Sequence, residues 1–176
     1  MRSSCSRRAF IKKAIIAGPV VSGASTFASP SDGVAQQAHA VTLQAAGIGA
    51  LDHVAIPIQR VEQMVEFYRA LGFRVSEVGQ GISVHFGDQK INFHVPARWQ
   101  NENFTLRAAE AIPPCGDFCW VWEGTSEALR SVLQAAEAEI VAEGERRGGR
   151  DGGSAIGESV YVRDPDGNLL EFISYA

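Results

Sequence analysis

Residues 163–172 read RDPDGNLLEF, and this stretch decides how the rest of the chain is interpreted. Positions 164–168 are Asp, Pro, Asp, Gly and Asn, which are the residue types that build tight turns: glycine accepts positive φ, proline presets φ, and Asp and Asn bond the nearby backbone. Apolar runs flank the turn at 157–162 and 169–175. The stretch therefore predicts two β-strands joined by this turn.

Further elements are predicted when the chain is followed from this turn towards its N-terminus. A strand is predicted at 117–123 and another at 140–145. Between them, apolar residues at helical spacing predict a helix from about 126 to 138; they are Leu129, Val132, Leu133 and Ala136. The second half of the chain thus has the predicted order strand, helix, strand, strand, strand.

The first half repeats this order. LDHVAIPI at 51–58 predicts a buried strand, and a helix is predicted at 61–71 with Gly72 as its C-cap. Short strands follow at 74–78, 82–86 and 89–95. Aligning Asp52 with Asp117, and His94 with Glu171, brings both halves into step. An internal duplication of about 65 residues accounts for the pattern.

The predicted fold class is therefore α+β, with two tandem βαβββ modules at 51–95 and 117–176. Side by side, the modules would form one curved mixed sheet of about eight strands around a cleft, with the helices outside. Residues 96–116 show little periodicity and are predicted to be a linker or a functional loop.

The N-terminal residues 1–40 have the order of an export signal. Residues 1–13 are basic, an apolar run follows at 14–28, and Ala-His-Ala at 38–40 fits a cleavage site. SRRAFIK at 6–12 resembles the twin-arginine motif S-R-R-x-F-L-K. The alternative is a disordered basic tail. We expect a bacterial protein that is periplasmic or secreted, with a linker at 41–50.

Charge and cysteine content limit the partners. After residue 40, eleven Lys and Arg face 19 Asp and Glu, which gives a formal net charge of −8. An acidic domain without a basic run argues against binding nucleic acid, and against binding an anionic membrane surface once the signal is removed. A small molecule is the expected partner. Cys115 and Cys119 would lie in an oxidising compartment, and whether they pair is left open.

The histidines suggest a metal site. His53 lies in the apolar first strand, His94 ends the fourth strand, and Glu171 is its predicted counterpart. Equivalent positions of a duplicated sheet meet around a pseudo-twofold axis, so these donors could converge on one divalent ion. The alternatives are a hydrogen-bonded core histidine and a strand-end charge.

LDHVAIPI, FYRALGF, KINFH and RDPDGNLLEF together resemble the vicinal-oxygen-chelate superfamily, which includes glyoxalases, extradiol dioxygenases and bleomycin-resistance proteins. The resemblance spans residues 51–175 and is greatest to the glyoxalase-domain-containing subgroup. It implies metal ligands on the first and fourth strands of each module, which correspond to His53, His94, position 118 and Glu171. Phe118 cannot bind a metal. The implied site has two histidines and one carboxylate, with open positions suited to Fe, Mn, Ni or Zn. The resemblance also implies a homodimer.

Strand alternation predicts pocket walls. Phe118, Trp120 and Trp122 share one strand face, and Asn92 shares a face with His94. Apolar walls with a few polar groups are typical of small-molecule pockets. Plain core packing is the alternative for the two tryptophans.

Three further residues have predicted roles at the site. Glu171 could move a proton, and His85 could be a proton shuttle or a surface histidine. Arg147 lies in the glycine-rich segment 144–157, which could close over an anionic substrate or be an ordinary loop.

The function predicted from these features is that of a metal-dependent enzyme on a small oxygen-bearing substrate, lactoylglutathione lyase-like or extradiol dioxygenase-like. The ion would act as a Lewis acid. The first alternative is a non-catalytic small-molecule binder like the bleomycin-resistance proteins. The second is a structural or partner-binding exported protein.

Overall fold

The computed structural model describes residues 48–79 and 81–175. The predicted signal at 1–40 and most of the predicted linker therefore lie outside the described residues. Within the described ranges, no helix has both the length and the apolar character needed to cross a bilayer.

Each half of the described chain has the predicted βαβββ order. The first module consists of β1 (His53–Pro57), α1 (Val61–Ala70), β2 (Arg74–Val78), β3 (Gly81–Phe86) and β4 (Gln89–His94). A single helical turn, α2 (Pro96–Trp99), follows. The second module consists of β5 (Asp117–Val121), α3 (Ser126–Ala135), β6 (Ile140–Arg147), β7 (Ile156–Arg163) and β8 (Leu169–Ser174). The predicted α+β fold of two tandem modules is confirmed.

The strands form two sheets, with the orders β1-β4-β3-β2 and β5-β8-β7-β6. In each, the first and last strands of the module pair in parallel, and the other neighbours pair antiparallel. The predicted single hydrogen-bonded sheet is corrected here: β1 and β5 are both edge strands, and no ladder between them closes the sheet within the described residues. The two modules are thus equivalent in topology.

One face of each sheet is buried in a shared core. Val84, Ile91 and Phe93 of the first module and Leu170 and Phe172 of the second belong to one hydrophobic cluster. This shared core, together with the turn between β7 and β8, joins the two halves.

Trp120 of β5 connects the modules directly. Its ring lies 5.1 Å from that of Phe73 and 6.0 Å from that of Phe86, and it stacks on Phe172 at 5.8 Å. Aromatic contacts of this kind stabilise beyond the area that they bury. The core-facing side of β5 therefore serves packing between the halves.

The turn between β7 and β8 also links the modules. The buried Asp164 carboxylate accepts a hydrogen bond from the Tyr68 hydroxyl of α1 at 3.2 Å and from the Asn168 side-chain amide at 2.8 Å. The Asn168 oxygen in turn accepts from the backbone amides of Cys115 and Gly116. Burial raises the pKa of Asp164, against the opposing effect of its hydrogen bonds. The polar side chains of this turn therefore form hydrogen bonds within the protein that hold the two modules together.

Candidate functional site

The first sheet has a core face and an outer face. Val54 and Ile56 of β1 face the core, so His53 and Ala55 face outwards. The β1–β4 ladder places Lys90 opposite His53, Asn92 opposite Ala55, and His94 opposite Pro57. The two histidines and Asn92 therefore share the outer face, as predicted for Asn92 and His94.

The two histidines do not meet on that face. His53 and His94 are four ladder positions apart, which corresponds to about 13 Å along the strands. They also line different cavities, of about 430 and about 50 Å³. His94 is 8% exposed and lies under the 96–116 segment, against the ring of Phe104 at 5.1 Å. Burial lowers the pKa of His94. The sequence predicted that His53 and His94 bind the same metal ion, but the β1–β4 register keeps them too far apart for that.

His53 lines the larger cavity, at the starts of β1 and β5. Its Nδ1–H donates to the Asp52 carboxylate at 2.5 Å, and this bond lowers the pKa of Asp52. Metal-binding histidines usually donate their second ring N–H to such a group, which fixes the ring and its tautomer. The Nε2 atom is left as the donor that could bind an ion. Other side chains around this cavity include Lys90, Asp117, Phe118, Cys119 and Trp120.

The register of the second module identifies the counterparts of these residues. Asp117 opens β5 as His53 opens β1, and each pairs with the equivalent position of its parallel neighbour. Two positions further along, Cys119 lies opposite Glu171. The counterpart of His53 is therefore Asp117, a possible metal ligand, and not Phe118 as predicted. By the same register Glu171 corresponds to Asn92, not to His94.

The alternation of core-facing and outward-facing residues along β5 was the feature of the sequence that could have identified Asp117 as a candidate metal ligand. Phe118 and Trp120 are large aromatic residues that pack against the core. Residues of odd number on this strand must then share the outer face. A shift of one residue along a strand exchanges its two faces. The sequence alignment, which matched Asp52 with Asp117, was shifted by one residue in this way.

Glu171 lies at the centre of the outer face of the second sheet. Its carboxylate accepts a hydrogen bond from the buried Ser159 hydroxyl at 2.5 Å. The ladders place it beside Tyr161 and Cys119. Burial, together with the Glu171 charge and hydrogen bond, raises the pKa of Tyr161 and raises that of Cys119 to about 12. Cys119 is therefore a thiol at neutral pH, and among residues 48–79 and 81–175 neither Cys119 nor Cys115 forms a disulfide.

The described part of one chain does not bring three metal-binding side chains together. Among residues 48–79 and 81–175, no group of three His, Cys, Asp or Glu side chains is arranged to hold an ion. Both outer faces are open at their edge strands, where Ala55 and Cys119 are exposed and Val121 is 46% exposed. The donors His53, Asp117 and Glu171 are thus present on two accessible faces.

The predicted wall residues divide between the cavity and the core. Phe118 and Trp120 line the larger cavity while they also pack against the core. Trp122 is not among its lining residues. Its indole N–H donates to the Thr125 carbonyl at 3.0 Å, and its ring contacts Phe172. Phe118 and Trp120 therefore both line the cavity and pack in the core, which are the two roles that the sequence left open.

Arg147 lies on β6, an edge strand of the second sheet, and His85 lies on β3, an interior strand of the first. Arg147 pairs with Ile156 and is exposed, whereas Arg146 shares the outer face with Ser159 and lies 5.4 Å over the Tyr161 ring. His85 lies on the outer face of the first sheet, where its Nε2 and the Ser76 hydroxyl are 2.8 Å apart. One strand, β4, lies between His85 and His53, and the two strand spacings of about 5 Å each keep His85 outside hydrogen-bonding distance of His53.

Comparison with known proteins gives one family. The model described as Glyoxalase/Bleomycin resistance protein/Dioxygenase superfamily matches residues 50–172. The chain is 34% identical over 131 residues to glyoxalase domain-containing protein RDO1 of Mycosarcoma maydis, covering 73% of this chain and 69% of that protein. It is 32% identical over 133 residues to virulence protein STM3117 of Salmonella typhimurium, covering 73% and 85%.

Solved structures agree in fold. The crystal structure of the Salmonella virulence protein covers 73% of this chain and 98% of that one, with a TM-score of 0.62 and 30% identity. An integron cassette protein from the mobile metagenome of V. cholerae covers 73% and 97%, with a TM-score of 0.64 and 28% identity. The match extends over nearly the whole length of both structures.

Proposed function

Because the chain belongs to the glyoxalase/bleomycin resistance protein/dioxygenase superfamily, we propose that it is an exported enzyme that uses one divalent metal ion to act on a small oxygen-bearing substrate. The observation that carries the proposal is the His53 ring, fixed by Asp52 at the mouth of a cavity of about 430 Å³. Asp117, its counterpart on β5, lines the same cavity.

The residues that would hold the ion are His53, Asp117 and Glu171, and two copies of the chain would supply them. β1 and β5 are edge strands, so each presents unpaired backbone groups to a neighbour. A homodimer that sets β1 of one copy beside β5 of the other would bring His53 towards the partner's Glu171. This arrangement would explain why residues that can bind a metal lie on exposed faces while the described residues of one chain contain no group of three such side chains.

The donor set fits a catalytic ion. One imidazole and two carboxylates suit Fe(II), Mn(II), Ni(II) or Zn(II) and leave positions open for substrate oxygens. The ion would supply Lewis-acid chemistry. Glu171, which accepts the hydrogen bond of the Ser159 hydroxyl, would be the group that moves a proton. Iron with O₂ would favour dioxygenase-like chemistry, whereas nickel or zinc would favour lyase-like chemistry.

A metal analysis of the purified full-length chain tests the proposal. We expect close to one ion per chain in the wild type, and a loss of most of it in His53→Ala and in Glu171→Gln. His94→Gln is the matched control, because His94 lies in a different cavity. An ion content that is the same in His53→Ala and the wild type would sink the proposal, as would a wild type without metal after reconstitution.

The assembly has its own test. Sedimentation of the full-length chain should give a dimer, and mixing His53→Ala with Glu171→Gln should restore part of the metal content. Restoration is expected because such a heterodimer contains one site with both native residues. A monomeric wild type with full metal content would contradict the two-chain site.

A non-catalytic binder is the second candidate, favoured by the aromatic wall of Phe118 and Trp120 along the larger cavity. An apolar ligand stacked there would need no ion. Such a protein would be metal-free after reconstitution and would quench its tryptophan fluorescence when the ligand binds. The metal analysis therefore separates the two candidates.

Export is part of the proposal and depends on residues 6–12, SRRAFIK. Replacing Arg7 and Arg8 with lysine should keep the chain in the cytoplasm of a twin-arginine-competent bacterium, because the motif is read by a receptor. Fractionation followed by immunoblotting measures the outcome. Unchanged export of the double variant would contradict this route.

A further inference from the structure

Four basic side chains lie in one line across the outer face of the first sheet. The ladders place His53 opposite Lys90, Lys90 opposite His85, and His85 opposite Arg74. Three strand spacings separate the ends of the line, which corresponds to about 14 Å. We call these four residues the cationic row. It begins at the cavity that His53 and Lys90 line and runs away from it towards the sheet's opposite edge.

The row has little acidic compensation. Within the part of the chain that the structure describes, the ion pairs are His53–Asp52, Arg69–Glu77 and Arg130–Glu143. Lys90 and Arg74 are in none of them. Two acids lie at this end of the row: Asp52, whose carboxylate is already hydrogen-bonded to His53, and Asp117, which lines the same cavity but is in none of these ion pairs. Lys90 lowers the pKa of Asp52 through its charge, without a contact short enough to form an ion pair.

The position of Lys90 is unusual for this chain. It is the single lysine after residue 13, in a domain with an excess of acids. It is half-buried in the wall of the larger cavity. Withdrawing a cation from water costs free energy unless an opposite charge compensates it. A bound anion would supply that charge.

Lys90 and Arg74 carry the permanent positive charges of the row, and His85 lies between them as a neutral hydrogen-bonding group. Burial lowers the pKa of His85, and the positive charges of Arg74 and Lys90 lower it further. The Ser76 hydroxyl, bonded to His85, and the Ser83 hydroxyl, which donates to Asn92, lie on the same face. Basic groups interleaved with hydroxyl and amide groups form a surface that recognises oxyanions.

We propose that the cationic row binds the anionic end of the substrate, which is therefore a small organic acid or phosphate ester. This inference rests on the proposed function, because the metal-binding oxygens of the same substrate would lie near His53. The carboxylate or phosphoryl group would lie on Lys90 and Arg74. A neutral substrate of the same size would lack this attachment.

Anion binding to the metal-free full-length chain tests the proposal. The probes are inorganic phosphate and succinate, with glycerol as the neutral control, measured by calorimetry at low ionic strength with a chelator present. We expect saturable binding of at least one anion and none of glycerol. Tighter binding of phosphate assigns a phosphate ester, and tighter binding of succinate assigns a carboxylic acid.

Variants assign the binding to the row. Lys90→Met should weaken binding of the anion at least tenfold, and Lys90→Arg should retain it. Arg74→Met provides a second variant should Lys90→Met fail to fold. Arg130→Met is the control, because Arg130 pairs with Glu143 on the other module. The wild type binding neither anion, or equal binding by Arg74→Met, Arg130→Met and the wild type, would overturn the proposal.

The two proposals fail separately. Anion binding is measured without metal, so its absence leaves the metal content of the wild type as an independent result. Conversely, a wild type that contains no metal but binds phosphate through Lys90 would support anion binding by the cationic row and contradict the proposal of a metal-dependent enzyme. Raising the salt concentration should weaken the anion binding through screening, with little effect on a tightly bound ion.

Discussion

Asp166, in the turn between β7 and β8, caps α1 of the other module: its carboxylate accepts the backbone N–H of Arg60 at 2.9 Å. It also accepts the N–H of Gln59 at 2.6 Å, and the Arg60 guanidinium returns a bond to the Pro165 carbonyl at 2.8 Å. No side chain within α1 provides this cap. The DPDGN segment thus joins the two modules through its hydrogen bonds to the start of α1.

Removing this cap should destabilise the fold without affecting the metal site. Asp166→Ala is expected to lower the free energy of unfolding by about 1–2 kcal/mol, as for other lost N-caps. Urea denaturation measures the change, with Asp88→Ala in the exposed β3–β4 turn as the control. Metal content should remain that of the wild type. A loss no larger than that of Asp88→Ala would show that the contacts of Asp166 contribute little.

Tyr68 should make the protein sensitive to alkaline pH. Its side chain is fully buried, and burial raises its pKa well above the usual 10, with further increases from Asp164 and Asp166. A raised folded-state pKa gives a stability contribution that is complete below the unfolded-state pKa of about 10 and is lost as the pH rises towards the folded value. The unfolding free energy of the wild type should therefore fall steeply above pH 10.

Tyr68→Phe should remove the part of that slope that Tyr68 contributes and leave the part that comes from the raised pKa values of Cys119 and Tyr161. At pH 7 the variant loses one hydrogen bond to Asp164, which costs about 1 kcal/mol. Guanidinium denaturation at pH 7, 9 and 10.5 compares the two proteins, and their stabilities should converge as the pH rises. Parallel curves for Tyr68→Phe and the wild type would rule out Tyr68 as the source of the alkaline sensitivity.

Trp120 should matter more to stability than Trp122. Trp120 contacts aromatic rings of both modules, whereas Trp122 contacts Phe172 of its own module. Trp120→Ala is expected to cost about 3 kcal/mol or more, in the range found for large core truncations. Thermal and urea unfolding measure both variants. A smaller loss for Trp120→Ala than for Trp122→Ala would contradict the role of Trp120 in joining the halves.

The sequence was sufficient for the elements but not for their register. Apolar spacing predicted α1 and α3 and the strands of both modules to within a few residues, because periodicity is a local property. The correspondence between Asp117 and His53 was missed because the sequence alignment matched Asp52 with Asp117, which put Phe118 in the place of His53. The packing of the aromatic side chains of β5 against residues distant in sequence, such as Phe73, is what sets the face of β5. The spacing of residues along a short stretch of sequence does not indicate contacts between residues that are distant in the chain.

Two features of the site also depend on distant contacts. His94 was expected near His53 because equivalent positions of a duplicated sheet meet around its pseudo-twofold axis, but the parallel ladder separates the two histidines by four positions. The 96–116 segment, which has no periodicity, then covers His94 through Trp99 and Arg107. Asn92, not His94, is therefore the residue of β4 that corresponds to Glu171.

Cys119 should react slowly with alkylating agents although it is exposed. The thiolate is the reactive form, and burial together with Glu171 raises the Cys119 pKa to about 12. At pH 7.5 we therefore expect iodoacetamide to modify Cys119 much more slowly than a free thiol of ordinary pKa.

Glu171→Gln should accelerate the reaction by removing one negative charge, whereas Glu123→Gln, as the charge control, should not. Mass spectrometry of the modified peptides over time gives the rates, with Cys115 as an internal reference. Equal rates in Glu171→Gln and the wild type would mean that burial alone sets the thiol pKa, and the charge coupling between Glu171 and Cys119 would have to be abandoned.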